Sequence, residues 1–334
     1  MFYLCIMIIK GEATVVKHTG SHYLLAQLPS WDLFPAVLRG KIRLKGSSAT
    51  NPVAVGDVVH FEADAADCKE IALENPAVIT SVEPRKNYII RKSTNLSRQS
   101  HIIAANLDCA FIIATIDYPE IKLPFLDRIL VTCEVYNVPA VIVLNKVDLY
   151  RESHAEMLEA FHEIYEGAGY RVMEVSALTG EGVDELREAC RGKVSLFSGV
   201  SGVGKSSLIK ALDPSLEPRV GEISEAHVQG RHTTTFYEMY RLSPSSHLDG
   251  CDDVPGFIVD TPGLRGFGLV DLKKEEIALY FPEMLKVSED CRFAPCTHTH
   301  EPGCAVKEAV EAGEISYDRY SSYLGMLDEE GKYR

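Results

Sequence analysis

Residues 195–208 read SLFSGVSGVGKSSL, an apolar run, a glycine-rich loop and the start of an amphipathic stretch. This segment narrows the possible folds more than any other. Gly199, Val200, Ser201, Gly202, Val203, Gly204, Lys205 and Ser206 match the spacing G-x-x-x-x-G-K-[ST] in full. Glycines at those positions let backbone amides turn inward around a phosphate, and a following helix adds the positive end of its dipole. The loop therefore demands a strand before it and a helix behind it, hence a layered α/β domain. Lys205 is placed to reach the β- and γ-phosphates, the Ser206 hydroxyl to bind Mg²⁺, and Ser207 to extend the phosphate-binding run.

A phosphate loop does not choose its base. Asn145-Lys146-Val147-Asp148, at the end of the apolar run VPAVIVL, does. The Asp148 carboxylate can accept two hydrogen bonds from guanine N1–H and the 2-amino group, which adenine cannot offer, and a carboxylate left unpaired is costly. Lys146 is expected along the base plane, steadying the phosphate loop. Ser176-Ala177-Leu178 follows one strand and one helix later, with the Ala177 amide facing guanine O6. Asp260-Thr261-Pro262-Gly263 ends a further apolar strand, where Asp260 holds Mg²⁺ through water and the Gly263 amide senses the γ-phosphate. Between the two phosphate motifs lies GRHTTTF, residues 230–236, which offers Thr234 or Thr235 to Mg²⁺; spacing does not decide between them. Leu264 stands near where many GTPases place a glutamine to orient water, so unassisted turnover is expected to be slow. His232 is the candidate to position that water, against a purely structural role; completion of the site by a partner is a further alternative.

The order is unusual. Asn145 precedes Gly199 by 54 residues, whereas most GTPases place the phosphate loop first. One sheet can be assembled from strands in another chain order if the old ends are joined and new ones cut. Here GVDELREACRGKVSLF makes the join, and the cut falls after DTPG.

The remaining chain divides around this unit. Residues 1–84 alternate short β-like runs with turns (GEATVVKH, HYLLAQL, FPAVLRGKIRLKG, PVAVGDVVHF, PAVITSVE), which predicts a five-stranded, OB-type barrel. Residues 85–105 are basic and polar and read as a linker. Residues 106–268 alternate strands and helices, and 269–334 turn mainly helical. The opening MFYLCIMII is too short to span a bilayer and reads as a buried first strand, with Met7 as an alternative start. No longer apolar run exists, so a cytoplasmic location away from membranes is expected. Charge is uneven: residues 1–100 carry a net +3 and the rest −17, within a total of −14. A polyanion should therefore meet the N-terminal part first. Arg39, Lys41, Arg43 and Lys45 alternate, so a strand puts all four on one face. With His22, Tyr23 and Trp31 this makes either an RNA-stacking surface or a solvated face over core aromatics.

Of nine cysteines, Cys5, Cys68, Cys109, Cys133, Cys190 and Cys251 are scattered and read mostly as small buried hydrophobes. Cys291, Cys296 and Cys304 crowd together with His298 in the pattern C-x4-C-x-H-x5-C. Three thiolates and an imidazole form a closed tetrahedral set for structural Zn²⁺. His300 is an alternative to His298.

Together these motifs resemble the circularly permuted GTPase family of ribosome small-subunit-dependent GTPase A. The resemblance rests on VAVGDVV, LDRIL with VLNKVDL, SAL, GVSGVGKSSL, GRHTTT, DTPG and CTHTHEPGCAV, in that order, and covers nearly the whole chain. It implies an OB-type RNA-binding barrel, a GTPase domain with motif order G4-G5-G1-G2-G3 and a C-terminal zinc-binding domain. It further implies GTP hydrolysis with Mg²⁺, one structural zinc per chain, and a monomer that binds the small (30S) ribosomal subunit and its rRNA late in maturation, leaving after hydrolysis. The departures are Ala294-Pro295, in place of a more polar pair, and the acidity of the chain. An RNA-binding scaffold that holds GTP as a structural ligand is the competing reading. A small-molecule kinase is disfavoured by NKVD, SAL and DTPG together.

Overall fold

The computed structural model describes residues 8–20, 22–39, 51–92, 100–218, 237–243, 254–261 and 272–332. The first five strands are β1 (Ile8–Thr19), β2 (His22–Gln27), β3 (Asp32–Leu38), β4 (Val58–Asp64) and β5 (Ala77–Val82). Strand β1 pairs with β2, β2 with β3, β3 in parallel with β5, β5 with β4, and β4 returns to β1. That ring of pairings closes the five-stranded OB-type barrel and leaves none of the five with two free edges. Alternation along the strands sends Val15, Leu25, Phe34, Val59, Phe61 and Ile79 inward, all at most 2% exposed.

One expectation about this region changes, and one open alternative is narrowed. The segment read as a linker holds an antiparallel hairpin, β6 (Tyr88–Lys92) and β7 (Ser100–Ala105). Ile89, Ile90 and Ile102 are buried in it. Arg85, read as part of a basic connector, forks onto the fully buried Asp57 at 2.6 and 2.7 Å. Asn51 exchanges two hydrogen bonds with the Ile102 backbone, both 2.9 Å. Of the two alternatives left open for the barrel face, an RNA-stacking surface or a solvated face over core aromatics, Tyr23 and Trp31 follow the second. Tyr23 is 6% exposed in the barrel core, and Trp31 packs on Phe257 at 5.6 Å between ring centres. Arg39 is an exposed partner of Glu62 at 3.4 Å, while Lys41, Arg43 and Lys45 lie outside the described residues.

The α/β unit runs β8 (Cys109–Ala114), α1 (Leu123–Val135), β9 (Ala140–Leu144), α2 (Val147–Tyr150), α3 (Ala155–Gly167), β10 (Arg171–Glu174), α4 (Val183–Cys190), β11 (Val194–Gly199), α5 (Lys205–Leu212), β12 (Glu238–Arg241) and β13 (Phe257–Asp260). Its spatial order is β10-β9-β8-β11-β13-β12, parallel except for β12. Strand β8 is buried at every position because both of its faces are covered. Ala110, Ile112 and Ala114 join the core under α1 and α3; Phe111 and Ile113 join the core under α4 and α5. The join inferred from the sequence is visible: α4 ends at Cys190 and β11 begins at Val194. The phosphate-loop strand thus takes the middle of this unit's sheet, although three of the unit's strands, β8, β9 and β10, precede it in the chain.

Strand β12 also pairs with β1, with Lys17 opposite Glu238, and makes barrel and α/β sheet one continuous eleven-stranded sheet. The Lys17–Glu238 ion pair, 2.6 Å, sits at that seam. The C-terminal helices are α6 (Lys274–Ile277), α7 (Pro282–Ser288), α8 (Ala305–Glu311) and α9 (Tyr317–Lys332). They share a core that includes Val131 of α1. Arg319 crosses the boundary: it bonds Asp127 of α1 at 2.7 Å and Glu283 of α7 at 2.7 and 3.1 Å, and all three are at most 9% exposed.

Candidate nucleotide site and zinc centre

Strand β11 ends at Gly199 and α5 begins at Lys205, so the phosphate loop has its required strand and helix. Steric need explains two glycines. A Cβ at Gly199 would stand 2.6 Å from the Ile113 carbonyl oxygen, and one at Gly204 would stand 2.4 Å from Asn145 Nδ2. Gly204 also holds φ +89°, a conformation that side chains resist. Val203 is buried beneath the loop, Val200 is half-buried against the same core, Ser206 is half-buried at the first turn of α5, and Ser201, Gly202 and Ser207 are exposed.

Asn145 is the tie of the site. Its Nδ2 donates to the Val203 carbonyl at 2.8 Å, and its Oδ1 accepts from the Ala177 amide at 3.1 Å. One buried side chain therefore joins the NKVD turn, the phosphate loop and the SAL turn. The Ala177 amide, expected to face guanine O6, is engaged by Asn145. Lys146, at φ +67°, donates to the Tyr118 carbonyl at 2.5 Å and the Gly202 carbonyl at 2.6 Å. Asp148 is exposed, and one of its oxygens accepts from the Ser176 hydroxyl at 2.5 Å, which fixes the carboxylate's plane. Ser176 also accepts from the Thr179 amide at 3.1 Å. Tyr150 was not singled out from sequence; its hydroxyl donates to the Asn145 carbonyl at 2.9 Å. The only trace of it is an aromatic two positions beyond Asp148.

On the phosphate side, Lys205 Nζ lies 2.6 Å from Asp260 Oδ1 and donates to the Thr261 carbonyl. Thr261 in turn bonds the Phe197 carbonyl at 3.1 Å, locking β13 to β11. Lys205, expected to meet phosphate, and Asp260, expected to hold Mg²⁺, are thus neighbours at the carboxyl ends of adjacent strands, where ligands of such sheets bind. Ser206 and Asp260 have the oxygen chemistry that Mg²⁺ takes. His232, Thr234, Thr235, Gly263 and Leu264 lie outside the described residues.

The C-terminal cluster brings Cys291, Cys296, His298 and Cys304 together, with all ligand atoms within 4.8 Å of one another. Zn–S bonds of about 2.3 Å and Zn–N bonds of about 2.0–2.1 Å at tetrahedral angles imply edges of about 3.8 Å between sulfurs and 3.6 Å between sulfur and nitrogen. The observed edges are 4.0 Å for Cys291–Cys304, and 3.7 and 3.4 Å from His298 Nδ1 to Cys291 and Cys304. The residues fit zinc. His298, not the exposed His300, is in the set. Burial holds the His298 imidazole below its ordinary value, favouring the neutral ring a metal takes, and burial pushes the Cys296 thiol up to about 12. The loop is strapped to α9: Tyr320 and Tyr323 donate to the carbonyls of His298 (2.6 Å) and Thr297 (2.7 Å). Glu301 accepts from the Thr297 amide and hydroxyl at 2.9 and 2.6 Å, and these bonds hold its carboxyl well below the usual range.

Among the scattered cysteines, Cys109, Cys133 and Cys190 are buried and Cys68 is half-buried; Cys5 and Cys251 lie outside the described residues, as does the apolar opening before Ile8. Among the described residues no helix is long and apolar enough to cross a membrane.

Comparison with known proteins agrees with this geometry. A family model described as RsgA GTPase matches residues 82–270. The small ribosomal subunit biogenesis GTPase RsgA of Bacteroides fragilis is 49% identical, over 97% of this chain and 99% of its own length. Its counterpart in Porphyromonas gingivalis is 45% identical over 97% and 98%. Among solved structures, YjeQ from Thermotoga maritima superposes with a TM-score of 0.76 at 32% identity, covering 98% of this chain and all of that one. YloQ, described as a circularly permuted GTPase, gives a TM-score of 0.71 at 26% identity, covering 100% and 99%.

Proposed function

Because the chain belongs to the RsgA GTPase family, we propose that it hydrolyses GTP as an assembly factor in late maturation of the small ribosomal subunit, binds that subunit's rRNA and leaves after hydrolysis. The observation that carries the guanine reading is the Asn145 tie, which sets Asp148 and the phosphate loop at a fixed separation. Asp148, oriented by Ser176, reads the base edge; Lys146 supports its plane; the amides of residues 199–206 and Lys205 take the phosphates. Ser206 and Asp260 are the described side chains that would hold Mg²⁺, which supplies charge neutralisation at the phosphates. Thr234 or Thr235 adds an oxygen to that set, the Gly263 amide senses the γ-phosphate, and His232 orients water.

The domain organisation supports a switch. The segment bearing Thr234 and Thr235 leads straight into β12, which is hydrogen-bonded to the barrel strand β1. The Asp260 strand β13 begins at Phe257, against which Trp31 of the barrel packs. The strand that follows the threonine segment, β12, and the strand that ends in Asp260, β13, therefore both touch the barrel read as RNA-binding. The domains are taken as 1–84, 85–105, 106–268 and 269–334, the second being a structural connector. Zn²⁺ holds the C-terminal helices as one per chain, and the protein acts as a cytoplasmic monomer.

Co-sedimentation with purified small subunits tests this reading. Binding should be retained with a non-hydrolysable GTP analogue and weakened with GDP; equal binding in both states would contradict release on hydrolysis.

A further inference from the structure

Lysine is a flexible point charge, and immobilising its stem costs about 2 kcal/mol of rotamer freedom. A base site whose lysine is already held avoids that cost at binding. In this chain the Lys146 ammonium is held between two carbonyls, those of Gly202 and Tyr118, at 2.6 and 2.5 Å. Gly202 belongs to the phosphate loop. Tyr118 belongs to the turn after β8, which matches none of the nucleotide motifs.

That turn is built with care. Thr115 is fully buried, and its hydroxyl donates to the Pro119 carbonyl at 2.5 Å. The Asp117 carboxylate accepts from the Tyr118 amide at 2.7 Å, and its other oxygen lies 3.6 Å from His154 Nε2. Pro119 itself flanks the phosphate loop, its Cδ 3.5 Å from where a Cβ on Gly202 would stand. Tyr118 is held at φ +59°, a strained conformation for a bulky residue that persists only where neighbours enforce it. A turn so strapped fixes the direction of its carbonyl, and that carbonyl points at Lys146.

We infer that Thr115 and Asp117 are positioning residues of the guanine site, setting nucleotide affinity by holding the Tyr118 carbonyl on the Lys146 ammonium. The inference deepens the guanine reading above and rests on it. Loss of the Thr115 hydroxyl frees the Pro119 carbonyl, lets the turn drift and leaves Lys146 with one anchor.

The test is a double-mutant cycle read by fluorescence titration with a labelled GDP at fixed salt. Thr115→Val should raise the Kd by about five- to tenfold, the scale of one ordinary hydrogen bond. Thr115→Ser, which keeps the hydroxyl, should return it to within about twofold. In a Lys146→Ala background, Thr115→Val should change the Kd by less than about twofold, because residues that act through one another are not additive. An equal loss in both backgrounds, or failure of serine to restore binding, would overturn the inference. Asp117→Ala, in the partly exposed turn, carries the same cycle should Thr115→Val not fold. If the wild-type chain binds no GDP, the guanine reading itself fails; if it binds but the cycle is additive, only the positioning role does.

Discussion

Replacing Gly204 by alanine tests how the guanine and phosphate halves of the site are joined. Gly204 holds φ +89°, and forcing alanine there costs about 1–2 kcal/mol. Its new Cβ would stand 2.4 Å from Asn145 Nδ2, so the amide must swing away. That motion breaks the 2.8 Å bond to Val203 and the 3.1 Å bond from Ala177, about 1 kcal/mol each. The expected loss of stability is about 3–4 kcal/mol. Gly202→Ala is the control. It has nearly the same φ, +90°, but its Cβ would meet only Pro119 at 3.5 Å, so about 1–2 kcal/mol of strain is all it should lose. Urea unfolding of the nucleotide-free proteins, followed by circular dichroism, measures the difference of about 2 kcal/mol. In an Asn145→Ala background the Gly204→Ala penalty should shrink to the strain alone. Equal losses at the two glycines, or an undiminished penalty without Asn145, would refute the claim that this contact is what keeps position 204 a glycine.

Three further outcomes are expected. Asp148→Asn should weaken GTP and improve xanthosine triphosphate binding, since an amide can donate to the 2-oxo group; an unchanged preference in competition binding would remove Asp148 from the base site. Arg319→Met leaves the Asp127 and Glu283 carboxylates buried without their cation, and should cost about 3–5 kcal/mol in chemical unfolding; a change below about 1 kcal/mol would mean the cluster is not a keystone between α1 and the C-terminal helices. Elemental analysis should find about one zinc per chain, and chelation should expose residues 272–332 to protease; a metal-free wild type with an intact C-terminal domain would refute the zinc centre.

How much of this could be read from sequence depends on whether the information is local. The phosphate loop, NKVD, SAL and DTPG each sit at a strand end, where short patterns mark both the fold and the chemistry, and the zinc ligands are crowded within 14 positions. Other features depend on distant partners. Strand β12 is four residues, EMYR, too short for a clear alternation, and its pairing with β1 spans more than 200 positions. The hairpin around Ile89 and Ile102 was masked by flanking charges, one of which, Arg85, is spent on Asp57. Arg319 on α9 reads as one more solvated charge until Asp127, 192 positions earlier, is placed beside it. Trp31 in a turn gives no sign that its ring belongs to an interdomain contact rather than to an RNA surface.

The central claim is that a guanine site assembled in permuted order serves a switch that answers to the small ribosomal subunit. GTP hydrolysis measured with the chain alone, with small subunits and with large subunits tests it most directly. Slow turnover alone and strong stimulation by small subunits only is the predicted result. Negligible hydrolysis under all three conditions would contradict it and favour an RNA-binding scaffold that holds GTP as a structural ligand.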